Sequence, residues 1–165
     1  AGGQASQGSA GTPAPGAASS QGSAGTPAAG AASSSGAGAS QTSDTCSLVT
    51  KSDAETALGE PAGSPKPRQT ATASACTYVS SSGSARLDID ISRWPDSATA
   101  ASKFQEFRKI GQPVSGLGDR ARGNTGILAV LKGSVLVNIS MPVAPKQPDP
   151  AGAMRTLASR LLGQL

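Results

Sequence analysis

Two cysteines, Cys46 and Cys76, and a carboxylate pair, Asp88 and Asp90, are the residues of this 165-residue chain best suited to covalent or acid–base chemistry. The chain has no histidine. Every Ser-His-Asp and Cys-His arrangement is therefore excluded, as are the His-containing zinc sites. Two thiolates are too few for a four-cysteine structural zinc site. A calcium loop needs spaced carboxylates around a glycine with a closing Glu, and no segment follows that pattern. "GLGDRARG", residues 116–123, is glycine-rich, but its spacing does not fit the dinucleotide fingerprint, and there is no P-loop. No cofactor is expected.

Four readings of the cysteines compete. A catalytic thiolate needs a lowered pKa, usually from a His or a helix N-terminus. Cys46 lies four residues before the helix cap expected at Thr50, with no His to help. A metal site needs more ligands than two thiolates supply. Two buried free thiols and a disulfide remain, and the disulfide is favoured. It would close a loop of about 31 residues, contribute roughly 3–4 kcal/mol through the unfolded chain, and pin the first helix to the sheet. Disulfides persist in oxidising compartments, which points outside the cytoplasm.

The other candidates each have a functional and a structural reading. Asp88 and Asp90 stand two apart on one predicted strand face, where a solvated role is expected; a glycosidase needs its carboxylates across a cleft. The stretch "GLGDRARGN", residues 116–124, is the most site-like in the chain. Gly116 and Gly118 would let backbone approach a ligand, and Asp119, Arg120, Arg122 and Asn124 offer polar groups to it. The same residues suit a structural turn, with glycines at positive φ and Asp119 capping N–H groups, and this is the expected role. Trp94, before Pro95, is either an exposed binding aromatic or a side chain packed at its strand end.

The elements that must position these residues are read from periodicity and punctuation. Thr50 caps a helix over 51–58, with Asp53 in a near capping box, Gly59 as terminator and Pro61 beyond it. Residues 60–72 read as loop. Strands follow at 73–80 and 84–94; in the second, Leu87, Ile89 and Ile91 alternate with Asp88, Asp90 and Ser92, the pattern of a half-solvated antiparallel strand. Asp96 caps a helix over 97–110 with an Ala100–Phe104–Phe107 stripe. Lys132-Gly133 turns a hairpin between 126–131, apolar on both faces and so central, and 134–141. Asp149 caps a last helix that starts at Pro150. The order α-β-β-α-β-β-α predicts an α+β domain over 44–165, with an antiparallel sheet of about four strands and helices packed on one side.

Residues 1–43 contain no charged, aromatic or branched aliphatic residue. Such a stretch is expected to be a disordered linker. Within it, QGSAGTPAPGAASS at 7–20 recurs at 21–34 with Ala29 in place of Pro15. As a coil the linker would span roughly 35 Å root-mean-square, enough to hold a domain off a surface; Ser, Thr and Pro together also suit O-linked sugars. The net charge is +4 with basic residues scattered through the folded part. With few aromatics to stack on bases, nucleic acid is not an expected partner. No apolar run is long enough to cross a membrane. The sequence opens at Ala1 in low-complexity composition, as expected of a chain after removal of a processing segment.

Asp44-Thr45-Cys46-Ser47-Leu48-Val49-Thr50, then Leu58-Gly59-Glu60-Pro61, Cys76-Thr77-Tyr78 and Gly116-Leu117-Gly118-Asp119-Arg120-Ala121 resemble one family in order and spacing. It is an uncharacterised domain family of secreted lipoproteins of high-GC Gram-positive bacteria and their relatives, and the resemblance covers about residues 44–162. It implies a lipid-anchored extracytoplasmic domain with a Cys46–Cys76 bridge and no established activity or catalytic residues. The lipidated Cys of the family's mature N-terminus has Ala1 in its place here, so an anchor is an inference about the native protein. The expected function is a non-enzymatic, monomeric module on a flexible tether, binding a protein or small molecule at the cell envelope. The alternatives are a structural or accessory lipoprotein of an envelope complex, or an enzyme of unrecognised type.

Overall fold

The computed structural model describes residues 44–143 and 146–165; the linker expected over 1–43, with its disorder and its repeat, lies outside them. The described chain begins with a one-turn helix, α1 (Thr45–Leu48), and α2 (Lys51–Leu58). Asp44 caps α1 by accepting the Cys46 N–H at 3.0 Å. At α2 the capping box is complete: Thr50 Oγ1 accepts the Asp53 N–H, and Asp53 Oδ2 accepts the Thr50 N–H. Gly59 ends α2 at φ 70°, and a Cβ there would sit 2.8 Å from the Gln147 Cβ, so conformation and close approach both require glycine.

The strands are β1 (Lys66–Gln69), β2 (Ala73–Val79), β3 (Arg86–Arg93), β4 (Gln112–Pro113), β5 (Arg120–Gly123), β6 (Ile127–Lys132) and β7 (Val135–Val143). Between β3 and β4 run α3 (Ser97–Phe104), capped by Asp96, and a 3-10 turn over Gln105–Lys109. The last helix is α4 (Pro150–Leu162), with Asp149 accepting the Gly152 N–H. All pairings are antiparallel, in the order β1-β2-β3-β7-β6-β5-β4.

The α+β class stands, but the sheet has seven strands where about four were expected. The added strands β1, β4 and β5 lie in segments read as loop. Every residue of β1 is exposed, β4 is two residues with a proline, and only Ala121 of β5 is buried. None carries the alternation that marks a strand; each is recruited by the backbone groups of the neighbour it pairs with.

The helices also lie on both sides of the sheet, not on one. On the first face Cys76, Ile89, Ile139 and Leu128 form one row across four strands. They pack with Tyr78, Leu87, Val130 and Val137 against Ala54, Ala57 and Leu58 of α2 and Met154, Leu157, Ala158 and Leu161 of α4. On the second face Ala129, Leu131 and Leu136 meet Ala100 and Phe104 of α3. Strand β6 is apolar on both faces because both are covered. Each fully buried Leu or Ile side chain contributes about 1.5–3 kcal/mol.

The N-terminal segment is fastened to the inner face of β2 at three alternate positions. Thr45 donates two buried hydrogen bonds to Ser74, from its N–H to Oγ at 2.9 Å and from its hydroxyl to the carbonyl at 2.8 Å. Cys46 and Cys76 form a disulfide with Cα atoms 5.0 Å apart. The Tyr78 hydroxyl donates to the Val49 carbonyl at 2.7 Å, out of solvent. Replacing both cysteines by alanine should lower stability by roughly 3–4 kcal/mol through the loop of the unfolded chain that the bridge closes. Chemical denaturation of the double variant tests this, and an unchanged midpoint would contradict it.

Candidate functional site

Strand parity sends Lys66 and Arg68 of β1, Thr77 of β2, Asp88 and Asp90 of β3, and Asn138 and Ser140 of β7 to the second face. There α3 covers only β6 and β7. What remains open is a groove of about 520 Å³ lined by side chains of those four strands. Register sets their order. Arg68, Ala75, Asp90 and Asn138 form one row across the sheet; Lys66, Thr77, Asp88 and Ser140 form the next. Two cations thus stand on the edge strand, while the inner strand β3 carries both carboxylates and a third cation, Arg86.

The contacts within the groove divide its charges. Arg86 donates to Asp88 Oδ1 through Nε at 3.0 Å and through an Nη at 2.7 Å, and Thr77 Oγ1 donates to the same oxygen at 2.6 Å. Asp90 meets Arg68 at 3.4 Å. Burial pushes the Asp90 carboxyl above its ordinary pKa, against the pull of Arg68. Lys66 is exposed and has no ion-pair partner among the described residues. Asp88 and Asp90 are therefore not the solvated pair read from alternation. Their side chains are 18% and 32% exposed, because the unforeseen β1 extends the sheet and walls them in with Lys66 and Arg68. These two cations, like Thr77, Arg86 and Ser140, are groove residues that sequence reading missed, and "KPRQ" bears no pattern that would have flagged the first two.

The residues of 116–124 are not gathered in one depression. Gly116 and Gly118 take φ values of 79° and 54°, and a Cβ on Gly118 would lie 2.4 Å from the Leu131 carbonyl oxygen. Asp119 donates its N–H to that oxygen at 2.7 Å, and its Oδ2 accepts the Gly133 N–H at 2.6 Å, bracing the β6–β7 turn. Arg120 and Arg122 belong to β5 and line a separate cleft beside Phe104. Asn124 Oδ1 accepts the N–H groups of Gly126 and Ile127 at 2.8 and 3.0 Å, closing the turn into β6. Trp94 is half-buried against the Phe104 cluster, with Lys103 Nζ 5.7 Å from its ring centroid.

Two further features bear on chemistry. The described residues hold no cluster of three or more His, Cys, Asp or Glu able to bind a metal, and no described helix is long and apolar enough to cross a membrane. Glu60 of the Leu-Gly-Glu-Pro motif accepts hydrogen bonds from Ser84 at 2.8 Å and Ser82 at 2.9 Å, and meets Lys146 at 3.4 Å. The Ser84 bond leads in lowering its carboxyl pKa to about 2. The clamp joins the exit of α2 to the β2–β3 turn.

Asp119→Ala should destabilise the fold by roughly 1–2 kcal/mol, as for loss of a cap, measured as a shifted denaturation midpoint. For Glu60, the folded pKa lies below the ordinary value of 4.5. Its contribution is thus complete above pH 4.5 and is lost as pH falls toward 2. The stability difference between wild type and Glu60→Gln should shrink across that window in denaturation series; a difference independent of pH would show the clamp carries no linked proton.

Compared with protein-family models, curated proteins and solved structures, the chain matches none.

Proposed function

We propose that residues 44–165 form a non-enzymatic binding module displayed outside the cytoplasm at the cell envelope, and that the sheet groove takes a small zwitterionic ligand. The observation that carries this reading is that one groove presents both charge signs, with the cations Lys66 and Arg68 on the edge strand and the carboxylates Asp88 and Asp90, with Arg86, on β3. A ligand carboxylate would meet Lys66 and Arg68 and an ammonium would meet Asp88 and Asp90. Thr77 and Ser140 supply neutral hydrogen-bonding groups between and beside them. Sites of several hundred Å³ with a few converging polar groups are where small molecules bind. The extracytoplasmic placement is supported by the disulfide and by the resemblance to secreted lipoproteins, which also motivates the lipid anchor and the tethering role of the linker.

The test is a thermal-shift and ¹⁵N-shift titration of the full chain with free amino acids and dipeptides, set against their N-acetylated and C-amidated forms. The zwitterions should raise the melting temperature, by an amount equal to roughly 1.4 kcal/mol at ten times Kd. Amides around Lys66, Arg68, Asp88 and Asp90 should shift. Arg68→Ala should remove the response while leaving the fold intact. Equal responses to the singly charged analogues, or none to any probe, would reject the zwitterion reading and favour an accessory role in an envelope complex.

A further inference from the structure

At the other end of the second face, β5 and the 3-10 turn after α3 enclose a cleft of about 320 Å³. Arg120 and Arg122 enter it from alternate positions of β5, and Arg108 enters from the 3-10 turn. Among the described residues no Asp or Glu lines it. None of the three arginines takes part in an ion pair among the described residues; nearby Glu106 is joined to Lys103. This differs from the zwitterion groove, where Arg68 and Arg86 each face a carboxylate. Arg122 donates through an Nη to the Gly111 carbonyl at 3.1 Å, while its Nε is buried with no acceptor. A buried donor without an acceptor is unfavourable, as is a group of like charges without a counter-ion. An oxyanion in the cleft would supply the missing counter-charge, and one that reached the Arg122 Nε would also supply its acceptor.

We propose that this cleft binds a phosphate group carried on an apolar body. Charge selects phosphate: a phosphate monoester carries about −1.5 to −2 near neutral pH, so it compensates most of three guanidiniums, whereas a carboxylate would leave two unmatched. Guanidinium forks also fit phosphate oxygens in pairs. The rest of the wall selects the carrier. Phe104, Pro113 and Val114 line the cleft beside the arginines and present apolar surface to whatever the phosphate is attached to. The same chemistry is met in a soluble phosphate ester and in a phospholipid headgroup, and the site admits either source.

The experiment is an NMR titration of the full chain that follows arginine Nε–H signals and backbone amides, with phenyl phosphate as the soluble probe and inorganic phosphate and phenylacetate for comparison. Sedimentation with phosphatidylcholine vesicles, with and without phosphatidic acid, is the lipid arm. Phenyl phosphate should shift the Arg122 Nε–H and the amides of β5, bind more tightly than either comparison probe, and weaken as salt is raised. Arg108→Gln and Arg120→Gln replace exposed side chains and should each weaken binding about tenfold. Binding confined to phosphatidic acid vesicles and lost in these variants would support the site with a lipid source. Overturning results are shifts that do not saturate, phenylacetate binding as well as phenyl phosphate, or variants that bind either phosphate source like wild type. Shifts here are resolved from those in the zwitterion groove, so the two readings stand or fall separately.

Discussion

Residues 45–49 reach alternate positions of one strand face: Thr45 to Ser74 by paired hydrogen bonds, Cys46 to Cys76 by a covalent bond, and Val49 to Tyr78 by the tyrosine hydroxyl. Because side chains alternate along a strand, these links select one face of β2 and one register. A slip of a single residue would turn Ser74, Cys76 and Tyr78 to the opposite side and break all three. The face they select is the one that α2 and α4 cover. Through cross-strand pairing it orients the rest: Cys76 stands opposite Ile89, Ile89 opposite Ile139, and Ile139 opposite Leu128.

The functional surface follows from that choice. With the apolar residues of β3 turned toward α2 and α4, Arg86, Asp88 and Asp90 must point to the other face. On that side α3 is short and its apolar stripe small, so it covers only the β6–β7 part, where Ala129, Leu131 and Leu136 await it. The rest is left to polar side chains. At the β1 end charges of both signs meet and largely neutralise one another. At the β5 end arginines converge without a carboxylate. One sheet face thus holds two electrostatic environments, separated by the apolar contact of α3.

Loops that look like ligand sites in sequence work here as joinery. Gly118 lets the chain pass against the Leu131 carbonyl, Asp119 holds the β6–β7 turn, and Asn124 closes the turn into β6. Ser82, Ser84 and Glu60 do the same where α2 leaves the core. Short polar side chains at strand ends bond most readily to nearby backbone, so a motif rich in Gly, Asp and Asn fits a sharp reversal as well as a binding site. Arg120 and Arg122 are the exception: β5 carries their side chains away from the turn and into a cleft.

Local signals were enough to place α2, α4 and the start of α3 with their caps, and β2, β3, β6 and β7, because capping, terminating glycines and side-chain period act within a few residues; the helix expected over 97–110 tightens to a 3-10 turn after Phe104. The disulfide followed from the absence of histidine and of further ligands, an argument from composition alone. The seven-stranded extent of the sheet did not follow. Strands β1, β4 and β5 exist because the neighbours they pair with offer unpaired backbone groups, and such pairing leaves no mark on side-chain pattern. The placement of α3 on the second face was equally hidden, since an amphipathic helix does not say which side of a sheet its stripe will meet. For the same reason neither surface site was legible. Arg68 and Asp90 are 22 residues apart in the chain, and Arg108 lies 14 residues before Arg122. Only strand register and the crossing of α3 bring such groups together, and both are decided by long-range packing.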